Sequence, residues 1–75
     1  MTEENIKKLG DELKAARLEK GFTQKELANM SGVTIQTVLH YEKGTPSMTL
    51  NTLNRITHAL GLNVVTVIYE PSEVD

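Results

Sequence analysis

Four glycines, Gly21, Gly32, Gly44 and Gly61, cut this chain into segments of helix length, and each follows a run with helical patterning. A glycine just past a helix takes the left-handed conformation without a Cβ clash, so these positions read as helix stops. The spacing leaves room for four short helices. The first is expected from about Glu3 to Lys20. Ile6, Leu9, Leu13 and Ala16 recur at three- and four-residue steps to form one apolar stripe, and Glu3 and Glu4 suit the positive end of the helix dipole. Gly10 lies inside this helix at a cost of about 1 kcal/mol relative to Ala, which points to close packing against a neighbour.

Thr23-Gln24-Lys25-Glu26 is a capping box, with the Thr23 hydroxyl placed for the third amide and Glu26 reaching back. Phe22 before the cap and Leu27 after it supply the hydrophobic staple. This second helix should end near Met30-Ser31-Gly32. A third begins at once, with Thr34 as cap and Val33 and Val38 as staple, and stops near Lys43-Gly44. Two short helices with a glycine at the bend describe a helix-turn-helix. Thr45-Pro46-Ser47 reads as a turn offering a cap for a fourth helix, roughly Met48 to Leu60, with Leu50, Leu53, Ile56, Ala59 and Leu60 as its core face.

After Gly61 the pattern changes. Asn63 to Glu70 is rich in β-branched residues and reads as one strand ended by Pro71. Val64 and Ile68 lie on one face, and Val65, Val67 and Tyr69 on the other. No second strand is visible in the chain, and an unpaired strand leaves its backbone donors and acceptors open. Antiparallel pairing with the same strand of a second copy would cover them. A final short helix packed on helix four is the alternative. The expected fold is mostly α: a compact four-helix domain over 1–62, a C-terminal β-strand over 63–70 paired across a homodimer, and a frayed tail over 71–75.

Composition narrows the function. A 75-residue chain buries about 60% of its unfolded surface, a thin margin that dimerisation would supplement. There is no Cys, and Phe22, Tyr41 and Tyr69 are the full aromatic set, so Leu, Ile, Val and Ala must build the core. The acidic amino end does not resemble a signal peptide, and no apolar run approaches the roughly 20 residues of a membrane span. His40 and His58 are the sole histidines, with no metal or nucleophile spacing around either. These features argue against an enzyme, a metal, a cofactor or a membrane partner and favour a cytoplasmic protein. The net charge is −2, yet residues 7–58 carry eight basic against five acidic side chains, the other five acids lying at the ends. A mildly basic body is compatible with binding phosphate.

From residue 6 to residue 62 the chain resembles the phage repressor and Cro-type (XRE-like) helix-turn-helix regulators. The stretch from Thr23 to Gly44, followed by Pro46-Ser47 and Thr52-Leu53, carries the likeness. Ala28 fits the small residue where the third helix crosses the second, while Leu27, Val33, Val38 and Tyr41 fall on the inner sides. Ser31 is less apolar than usual for the family. Arg17 and Glu42 match a pair that braces this fold.

The resemblance implies double-stranded DNA as partner, read by the third helix in the major groove. Carried over by position, the base contacts are Thr34, Ile35, Gln36 and His40. Gln36 is suited to bidentate pairing with adenine. Ile35 is assigned to thymine methyl groups, and Leu39, one turn on, to burial. The phosphate contacts are Gln24, at the amino end of helix two, with Lys25, Thr37, Lys43 and Thr45. The dimer would rest on Val64, Val65, Val67, Ile68 and Tyr69. The function implied is sequence-specific transcription regulation, as a repressor on a palindromic operator. One alternative is an antitoxin that represses its own operon and also binds a toxin protein. Another is a protein-interaction module that keeps the fold without DNA binding.

Overall fold

A computed structural model describes residues 2–63. They form α1 (Glu3–Glu19), α2 (Gln24–Ser31), α3 (Ile35–Lys43) and α4 (Leu50–Ala59). The strand and the dimer residues Val64, Val65, Val67, Ile68 and Tyr69 lie outside the described residues.

Hydroxyl side chains start all four helices. Thr2, Thr23, Thr34 and Thr49 each accept the backbone N–H three residues on. At α2 the expected capping box is complete: Thr23 Oγ1 accepts the Glu26 N–H at 3.0 Å, and the Thr23 N–H donates to Glu26 Oε1 at 2.9 Å. The Thr23 backbone N–H foremost, and the Thr23 side chain after it, hold the Glu26 carboxyl below its ordinary value by hydrogen bonding to it. Its contribution to stability is therefore present above the unfolded-state value and is lost as pH falls through the lower folded value. Thr23→Ala removes the hydroxyl acceptor and is expected to cost about 1 kcal/mol, read by urea unfolding at neutral pH.

The helix ends share a second device. Phe22, Val33 and Leu62 donate their N–H groups five residues back, to Arg17, Ala28 and Thr57, at 3.1, 3.1 and 2.8 Å. Each follows a glycine whose own N–H bonds three residues back. This is the Schellman closure, and in each case the apolar residue after the glycine packs against the core. Gly32 shows why the glycine is needed: φ is 70° and ψ 31°, left-handed and unstrained without a Cβ. Gly44 is followed by Thr45 instead and closes differently, with a ψ of 103°.

The core contains Leu9 and Leu13 from α1, Leu27 and Ala28 from α2, Val38 and Tyr41 from α3, and Leu53 and Ile56 from α4, with Leu60 beyond it. Helix α3 packs against both α1 and α2, and α2 also packs against α4. The stripe expected on α1 is present, with Leu9 and Leu13 buried and Ile6 and Ala16 half-buried. Gly10 is buried where α1 meets α3, as its position inside a helix foretold. Ser31 is accommodated because its hydroxyl donates to the Leu27 carbonyl at 2.7 Å.

The fourth helix differs from the expectation at its start. It begins at Leu50, not Met48, and its cap is Thr49 rather than the Thr45-Pro46-Ser47 turn. The Tyr41 hydroxyl explains the shift. It accepts the Thr49 N–H at 3.0 Å, fixing that amide outside the helix and leaving the Thr49 side chain to cap Thr52. Leu50, expected in the core face, is 64% exposed. It sits in the first turn, a turn ahead of Leu53, where the fully buried stripe of α4 begins.

Candidate nucleic-acid interface

The outer side of α3 is set by its inner side. Val38, Tyr41 and Glu42 are buried, so Gln36 and His40, four residues apart, share an outward stripe, and both are exposed. Thr34 and Ile35 begin the helix beside Gln36; Ile35 is 43% exposed. The Thr34 and Thr37 hydroxyls lie 3.0 Å apart, and Thr34 Oγ1 also accepts the Thr37 N–H. Leu39 is half-buried, in keeping with its assignment to packing. All four base-contact candidates thus lie at or after the exposed start of one helix.

The residues assigned to phosphate divide into two groups. Gln24 and Lys25 open α2, where the capping box has already used the Thr23 and Glu26 amides. The Gln24 and Lys25 N–H groups make no intramolecular bond among the described residues, which leaves two donors at the positive end of the helix. The Gln24 side chain is half-buried, and its Nε2 donates to Glu42 Oε1 at 3.2 Å. The expected Arg17–Glu42 pair is present at 2.6 Å between Nε and Oε2, and both side chains are buried.

The second group surrounds a hollow of about 270 Å³ between α3 and the start of α4. Thr37, His40 and Thr45, all expected contacts, line it together with Tyr41, Ser47, Thr49 and Thr52. Its wall carries six hydroxyls and an imidazole and no carboxylate. Ser47 and Thr52 belong to the stretch that carries the family likeness and Thr49 to the expected fourth helix, and none of the three is an expected contact. The threonine and serine density between residues 45 and 52 is the available signal, and from it only Thr45 is an expected contact, Thr45-Pro46-Ser47 otherwise reading as a turn. Lys43, at the end of α3, is exposed but does not line the hollow.

Chemically, the surface offers neutral hydrogen-bond donors and acceptors, and positive charge from Lys25 and Lys43. No group of three or more His, Cys, Asp or Glu side chains suited to a metal occurs among the described residues. No helix there is long and apolar enough to cross a membrane.

A helix-turn-helix family model matches residues 13–66. An uncharacterised HTH-type transcriptional regulator of Methanothermobacter thermautotrophicus is 51% identical over 45 residues, covering 60% of this chain and 65% of that protein. The chain spans less than two thirds of the length of the curated relatives it matches, 65% and 50%. Among solved structures, the clp gene regulator ClgR of Corynebacterium glutamicum superposes with a TM-score of 0.77 at 33% identity, covering 85% of this chain and 82% of that one. The restriction-modification controller protein C.AhdI of Aeromonas hydrophila gives 0.76 at 26% identity over 85% and 96%. The chain belongs to the phage repressor and Cro-type helix-turn-helix family, a family of DNA-binding transcriptional regulators and not of enzymes.

Proposed function

We propose that this chain represses transcription as a homodimer on a palindromic operator, each copy laying α3 into the major groove. The observation that carries this reading is the joining of two surfaces. The exposed Gln36–His40 stripe of α3 runs into a hydroxyl-lined hollow free of carboxylates. Side chains that read base edges and side chains that hold the backbone then stand on one face. Gln36 pairs with adenine, Thr34, Ile35 and His40 flank it, and Gln24, Lys25, Thr37, Lys43 and Thr45 meet phosphates. The relatives described as a gene regulator and a controller protein support a role in controlling genes.

The dimer is supported by two features. Leu50 is exposed at the start of α4, and residues 63–70 carry β-branched side chains on both faces of a strand pattern. Recognition helices on a twofold axis then sit about 34 Å apart, one helical turn of DNA. Removing residues 63–75 is expected to give a monomer by sedimentation; a truncated chain that stays dimeric rules out pairing through that segment.

Titration onto DNA from upstream of its own gene, with scrambled DNA as control, tests the reading. The wild-type chain should prefer the native sequence and weaken steeply with salt. Gln36→Ala should lose about 1–3 kcal/mol of that preference and keep the salt slope, because the lost contact is a neutral one to a base. Equal, feeble binding to both DNAs would favour a protein partner instead.

A further inference from the structure

We propose that Glu42 is a positioning residue for DNA binding, holding the Gln24 carboxamide so that one N–H stays free for a backbone phosphate. This rests on the reading of Gln24 as a phosphate contact. Gln24 is the first residue of α2 and Glu42 lies in the last turn of α3, and Gln24 Nε2 donates to Glu42 Oε1 at 3.2 Å. The carboxylate is itself held through both oxygens. Arg17 grips it through Nε to Oε2 at 2.6 Å and Nη2 to Oε1 at 3.1 Å, and Arg17 Nη1 donates to the Phe22 carbonyl at 2.8 Å. Arg17 and Glu42 are both buried.

A carboxylate only accepts hydrogen bonds, so it decides which end of the carboxamide faces it. The NH2 end must meet Oε1. One of its two hydrogens is used there and the other remains, at the amino end of α2 where the Gln24 and Lys25 backbone N–H groups make no intramolecular bond among the described residues. An unheld glutamine would lose side-chain freedom when it met a phosphate, whereas this one is ordered beforehand. Arg17 also removes the objection that a carboxylate near the site repels the anion, because it pairs that charge at contact distance.

The test uses the wild-type chain, Gln24→Ala, Glu42→Gln and the double variant. Each is titrated with a mixed-sequence duplex of about 20 base pairs at low salt, below its own melting temperature, because phosphate contacts do not read sequence. Gln24→Ala should bind roughly five- to tenfold more weakly with an unchanged salt slope, since no cation is lost. Glu42→Gln should show a similar loss, although it removes a negative charge and on electrostatics alone would tighten binding. In the Gln24→Ala background it should cost nothing further. If Gln24→Ala binds as the wild type does, the phosphate reading of Gln24 fails. If Gln24→Ala weakens binding but Glu42→Gln does not, or the two losses add, positioning by Glu42 is overturned.

Side-chain amide NMR of the wild-type chain covers the case in which Glu42→Gln does not fold. In the free chain the Gln24 Nε2 proton that donates to Glu42 should be displaced from the position it has in an unstructured glutamine, and the other proton should shift when duplex is added. Two Gln24 Nε2 protons at the positions of an unstructured glutamine in the free chain, or a second proton that duplex does not move, would overturn the proposal.

Discussion

Arg17→Ala is expected to destabilise the chain by about 3–5 kcal/mol, the usual cost of removing one partner from a buried ion pair. A domain of this size has a total stability of about 4–11 kcal/mol, so much of the population would be unfolded at modest temperature. The geometry accounts for the size of the effect. Arg17 makes two bonds to the Glu42 carboxylate and one to the Phe22 carbonyl, and neither side chain of the pair is more than 8% exposed. Without the guanidinium, Glu42 keeps a single donor, the Gln24 amide, and the Phe22 carbonyl loses its side-chain donor. A thermal melt should show a fall of at least about 12 °C, at 4–8 °C per kcal/mol for a domain of this length.

The companion measurement separates repair of the core from repair of function. Replacing both partners, Arg17→Met with Glu42→Leu, removes two buried charges together and should recover most of the stability, since an apolar pair of similar volume is often neutral or better. It leaves Gln24 without its tether. The double variant is therefore expected to melt near the wild-type temperature and still bind DNA more weakly. Arg17→Lys should fall between the two, because an ammonium cannot make the bidentate contact.

Features governed by neighbours in the chain were legible in the sequence. The capping box at Thr23, the cap at Thr34 and the closures at Gly21, Gly32 and Gly61 each involve residues within five positions of one another, and composition and spacing encode them directly. The Arg17–Glu42 pair, 25 residues apart, came from resemblance to a family and not from pattern. What pattern reading missed depends on contacts across the fold. Nothing near Thr49 reveals that the Tyr41 hydroxyl will take its N–H, so the turn at Thr45-Pro46-Ser47 was the natural cap. Leu50 has the right spacing for the core, but spacing does not say which neighbour covers the first turn. The Gln24–Glu42 bond spans 18 residues, and its donor was assigned a role outward rather than inward. The hollow escaped for the same reason, because it exists where Thr37 and His40 of α3 meet Ser47, Thr49 and Thr52.

Gly10→Ala is expected to destabilise the chain by about 1–3 kcal/mol, against the direction that helix propensity gives. In an open helix this change gains about 1 kcal/mol. Here a Cβ at Gly10 would stand 2.7 Å from the carbonyl oxygens of both Tyr41 and Glu42. Those atoms belong to the backbone of α3, so no side chain can swing aside; the two helices would have to part. The displacement would fall on the segment that holds the Tyr41 hydroxyl against Thr49 and the Glu42 carboxylate against Arg17 and Gln24. DNA binding should weaken along with stability. Ala15→Gly, at an exposed site of the same helix, supplies the comparison. It should cost about 1 kcal/mol through propensity alone and leave binding by the folded chain unchanged. Urea unfolding of the two variants decides the matter by sign. If Gly10→Ala is more stable than the wild type, α1 and α3 do not approach backbone to backbone; if both variants are less stable, the glycine is held there by contact and not by conformation.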